Sequence, residues 1–189
     1  MWPSRDIAYL VLISVLTIVD FALVLQFFAL FIALPGIAYF VDIFGSILTG
    51  LSFLLYRGRR WRMFAQGVLL ALLSLPVYLG PGYGPFDFVV RISIIIKLFI
   101  VDVIFNSLYG RFERRNKLYW LTILLVVYFF TTGPAIDMLY FSLFVPLEVL
   151  WVVPYSFVFL MLPLIIVLAI VGGSIGYRIY RRVEKLTIE

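Results

Sequence analysis

From Leu118 to Phe130 the chain is apolar on every face, and such a segment can settle only inside a protein core or in lipid. Composition decides between the two: of 189 residues 65% are hydrophobic and 13% charged, and the mean hydropathy is +1.14. A domain this small leaves much of its surface exposed, so the excess apolar surface must face lipid. A β-barrel would alternate apolar and polar residues, which this chain does not do. The expectation is an all-α fold, a polytopic integral membrane bundle forming a single transmembrane domain over 1–189.

Three basic clusters divide the hydrophobic chain: Arg57, Arg59, Arg60 and Arg62; Arg111, Arg114, Arg115 and Lys117; Arg178, Arg181, Arg182 and Lys185. Each intervening segment is long enough for two crossings at about 20 residues per span. The predicted spans are 7–34, 37–56, 63–80, 86–109, 118–133 with a kinked or interfacial 135–153, and 155–177. Pro35-Gly36 and the run Gly80-Pro81-Gly82-Tyr83-Gly84-Pro85 mark turns. Six crossings return every basic cluster to one side, and a seventh would put the last cluster outside, against the positive-inside rule. Both termini are therefore expected in the cytoplasm of a bacterial or archaeal plasma membrane. The first apolar stretch lacks a short h-region with a small-residue cleavage site and is expected to stay in the mature chain. Trp2, Tyr56, Trp61, Tyr83, Tyr119, Trp120, Trp151 and Tyr155 fall near predicted boundaries, as interfacial anchors do.

The sequence contains no cysteine and no histidine, which removes disulfides, thiolate nucleophiles, imidazole acid–base chemistry and most zinc sites. It shows no P-loop, no Gly-x-Ser-x-Gly and no paired catalytic carboxylates. Neither an enzyme nor a cofactor or metal site is expected. The basic residues form short clusters against the membrane, a pattern that does not suit nucleic acid.

Ionisable groups inside a bilayer are costly, so each is a functional candidate with a partner to be named. The candidates are Asp20, Asp42, Asp87, Arg91, Lys97 and Asp102, with Asn106 as a neutral neighbour. At 100° per residue Asp87, Arg91, Asp102 and Asn106 share one side of the fourth span, while Lys97 points away from them. Depth suggests pairing Asp42 with Arg91 near the outer boundary and Asp20 with Lys97 near mid-membrane. Such pairs either fix helix packing or line an outward-opening site for a ligand, with Asp102 and Asn106 closing its floor or bonding to a neighbouring helix. Ala29/Ala33 and Gly172/Gly176 carry the small-residue spacing that lets helices approach closely, within the chain or between chains.

This layout resembles the substrate-binding S components of energy-coupling factor vitamin transporters. Local support comes from the Gly80–Pro85 run before the fourth span and from the closing Gly172-Gly173-Ser174-Ile175-Gly176-Tyr177-Arg178-Ile179-Tyr180-Arg181-Arg182. That family's small-residue contact for its coupling subunit lies in the first span; here Ala29 and Ala33 carry the spacing nearer its outer end. The resemblance implies capture of a vitamin-like small molecule, with a separate transmembrane coupling subunit and ATPase subunits as partners beside membrane lipid. Arg91 and Lys97 would then favour an anionic ligand, oriented by Asp42 or Asp87. The residues also leave open a noncatalytic subunit of a larger membrane complex, and a small proton- or ion-coupled carrier using Asp20, Lys97 and Asp102.

Overall fold

The computed structural model describes residues 2–29, 43–75, 87–144 and 155–186. Among them the chain is all-helical: α1 Ser4–Ala29, α2 Ile43–Leu55, α3 Arg62–Leu73, α4 Asp87–Arg114, α5 Leu118–Phe144 and α6 Tyr155–Leu186. The stretches Ser4–Leu23, Arg91–Arg114 and Leu162–Glu184 are long and apolar enough to cross a membrane, and Ile43–Leu55, Arg62–Leu73 and Leu118–Thr132 form shorter apolar helices. On α1 the outward side is apolar as far as Leu23, with Ile7, Leu12, Val19 and Leu23 exposed, while Asp6, Ile13 and Ser14 are buried. A helix that keeps its polar stripe inside and shows aliphatic side chains outside is suited to lipid.

Each helix packs on two neighbours and the order closes a ring: α1, α3, α4, α5, α6, α2 and back to α1, with α2 also touching α5 across it. Phe53, Leu98, Val101, Phe105, Leu125 and Ala169 fill the middle. The start of α1, the link 56–61, the end of α4 and the end of α6 come together, because Asp6 bonds Arg59 and Arg62, Arg57 bonds Glu184, and Gly58 lies against Tyr109. The three basic clusters thus gather at one end of the bundle.

Two expected boundaries shift. The second and third clusters were expected as loops, yet α4 runs on through Arg111 and Arg114, and α6 through Arg178, Arg181 and Arg182. Neither stretch contains proline, and cations are favourable at a helix C-terminus. α4 stops where Asn116 adopts a left-handed conformation (φ 53°), its N–H bonded to Glu113 O at 2.9 Å and that of Lys117 to Phe112 O at 2.8 Å. That paired pattern is a Schellman cap, which satisfies the last carbonyls and turns the chain at once into α5. α5 runs helical past Gly133 and Pro134 to Phe144. Residues 30–42, 76–86 and 145–154 lie outside the described residues, and with them Ala33, the Gly80–Pro85 turn and the rest of 135–153.

Gly172 and Gly176 are spent inside the chain. A Cβ on Gly172 would press on Ser46 and stand 2.9 Å from the Ile43 carbonyl oxygen, and one on Gly176 would stand 2.7 Å from that of Ile47. Across the same seam Gly50 faces Gly173, where a Cβ would meet the opposing Cα at 3.3 Å. The small-residue spacing lets α2 and α6 approach to backbone contact.

Candidate functional site

Arg91, Ser93, Lys97 and Asp102 are buried on α4, which lies between α3 and α5. Its two polar sides, separated in the sequence by helical angle, meet different helices. Arg91 and Asp102 turn to α3: the Arg91 guanidinium donates through Nη1 to Ser74 Oγ, and the Ser74 hydroxyl donates to Ala71 O at 2.9 Å. Lys97 turns to α5, its ammonium 5.0 Å from the ring centre of Phe129. Arg91 is 5% exposed and Lys97 1%. Two cations are therefore held in the bundle interior, one against a hydroxyl and one over an aromatic face that attracts positive charge.

Asp102 has a role that helix geometry explains fully. The first N–H groups of α3 need acceptors, but Trp61 at its N-cap is left-handed (φ 69°) and gives no side-chain cap. Asp102 supplies the acceptors from the neighbouring helix, Oδ2 taking the Trp61 N–H at 2.7 Å and Oδ1 the Met63 N–H at 3.2 Å. A carboxylate at a helix N-terminus is stabilised both by these bonds and by the helix dipole. Asp102 thus bonds to the start of the neighbouring helix. Asn106, one turn further on α4, has its Oδ1 buried with no hydrogen-bond partner among the described residues.

Asp6, absent from the sequence candidates, is the most buried acid among the described residues at 0% exposure. It accepts from Arg59 at Oδ1 and from Arg62 Nε at Oδ2, the latter at 3.1 Å. Glu184 plays the matching part on α6, accepting from Arg57 Nη2 at 3.3 Å, Tyr180 OH at 3.0 Å and Arg181 Nη1 at 2.9 Å. The available signal was sign: each is an acid among the arginines of the basic end.

These ties give α1 and α4 a common register on the start of α3. Measured from them, helical rise carries Asp20 about 21 Å along α1, and Lys97 about 7.5 Å and Arg91 about 16 Å along α4. By ideal helical rise Asp20 stands nearer the height of Arg91 than that of Lys97. Asp87 is the first residue of α4; its side chain, like all of Asp42, lies outside the described residues.

No protein-family model, curated protein or solved structure matches the chain.

Proposed function

We propose that the chain is a multi-pass membrane protein of six spans with its basic end in the cytoplasm, and that it binds a small anionic molecule as the capture subunit of an uptake transporter. The observation that carries this reading is the pair Arg91 and Lys97, buried on one helix of a bundle whose outer surface suits lipid. Cations in such a setting are expensive and mark ligand or ion sites more often than passive packing. Arg91 lies towards the end opposite the basic clusters, so a carboxylate or phosphate arriving from outside would meet it first. Its planar donor set suits either group, with Ser74 beside it. Asp42 or Asp87 would orient the ligand. Transport would be driven by separate coupling and ATPase subunits, as the resemblance to S components implies.

The test is thermal unfolding of the purified protein against a panel of carboxylate- and phosphate-bearing vitamins. A ligand at a hundred times its dissociation constant adds about 2.7 kcal/mol of stability. The stabilisation is expected to vanish in Arg91→Ala and to weaken in Lys97→Met. A panel without any stabilising member, or an unchanged response in Arg91→Ala, overturns the assignment.

The other two readings draw less support. An assembly subunit would use its glycine face for a partner, whereas Gly172 and Gly176 are packed on α2. A proton relay through Asp20, Lys97 and Asp102 would run through a carboxylate already held by two backbone N–H groups.

A further inference from the structure

A groove of about 490 Å³ runs along the outer flank of α3, lined by Trp2, Trp61, Phe64, Val68, Leu69 and Leu72, with Ala65 at its base. From Trp61 to Leu72 it follows α3 for about 16 Å of helical rise. That is close to the hydrocarbon depth of one leaflet, about 15 Å. Its walls are stiff: Trp61, Phe64 and Phe99 form a cluster with centroid separations of 6.0, 6.3 and 5.8 Å. At the basic end the Trp2 indole is fixed beneath the Arg62 guanidinium at 4.1 Å, and Arg62 is in turn held by Asp6.

The groove changes chemistry at that end. Its lining is apolar throughout, yet the Arg62 guanidinium covers the Trp2 ring, the residue before Trp61 is the exposed Arg60, and the exposed Arg5 follows Trp2 by three residues. Asp6, the residue after Arg5, is already taken by Arg59 and Arg62. An apolar slot one leaflet deep with positive charge at its mouth is complementary to a single amphiphile of negative head and hydrocarbon tail.

We propose that this groove holds one anionic phospholipid of the leaflet on the basic side. A hydrocarbon chain lies along Phe64, Val68 and Leu72, and the phosphate sits at Arg60 and Arg5. The inference stands on membrane embedding alone and is independent of any ligand at Arg91. Juxtamembrane arginines attract anionic headgroups generally; the groove adds retention of one molecule in a fixed place.

The experiment is native mass spectrometry of the full chain, stripped of lipid in mild detergent and titrated with phosphatidylglycerol or phosphatidylcholine of the same chain length. One phosphatidylglycerol is expected to remain bound under conditions that remove phosphatidylcholine. Binding should weaken roughly fivefold for each of Arg60→Gln and Arg5→Gln. Ala65→Phe, which fills the groove, should abolish the adduct while the arginines remain. Both arginine changes are at exposed positions and leave the proposal testable if the groove-filling variant does not fold. Equal retention of the two lipids, unchanged binding in the double arginine variant, or a copurifying polypeptide protected by the groove would each overturn it.

Discussion

The seam between α2 and α6 joins helices by removing side chains, whereas the seam between α3 and α4 joins them by adding polar ones. At the first, Gly50, Gly172, Gly173 and Gly176 bring backbones into contact, and the stabilisation is dispersion over a close fit. At the second, Asp102 closes the start of α3 and Arg91 reaches Ser74 near its end, with Gly67 packed on Ile95 and Leu98 between them. The four glycines offer no side chain to a ligand. The polar seam is where the buried arginine sits. Close backbone packing and buried charge thus lie on opposite sides of the ring.

Substitutions can separate the two. Gly172→Leu forces a side chain into Ser46 and the Ile43 carbonyl and is expected to destabilise the protein by about 3 kcal/mol or more. Reversible unfolding in mixed micelles would measure it, and a neutral result would mean that α2 and α6 are not in backbone contact. Asp102→Ala leaves the Trp61 and Met63 N–H groups without acceptors and should cost about 2 kcal/mol, with Asp102→Asn recovering part of it. Hydrogen exchange at the first turn of α3 should rise in the alanine variant and stay near wild type at α2. Asp6→Asn keeps the shape but removes the charge facing Arg59 and Arg62. About 1 kcal/mol is expected, seen as a lower midpoint in the same unfolding assay. Glu184→Gln, on a half-exposed network, should cost less than about 0.5 kcal/mol, and less still in high salt.

Helical class and the glycine spacing were legible in the sequence because both depend on side-chain size and polarity alone. The two polar sides of α4 were legible too, since a 100° step separates Arg91 and Asp102 from Lys97 in any helix. What was not legible was registry. The start of α3 anchors both α1 and α4, through Asp6 and Asp102, by bonds between residues far apart in the chain. The cap itself could not be read, because Trp61 is an uncommon N-cap and its acceptor comes from a residue far along the chain. Nor could the ends of α4 and α6, where arginines that mark a membrane boundary are equally good helix residues.

The link between α2 and α3 has a consequence for how the chain assembles. Arg59 and Arg62 bond an acid made before them, Trp61 and Met63 await Asp102, and Arg57 awaits Glu184. During synthesis, α1 can therefore be latched to α3 as soon as the first basic cluster emerges. The same short link stays open to receive α4 and then α6, so it works as an ordered set of sockets filled from the N-terminus onward. The last of them closes only when the final helix is in place.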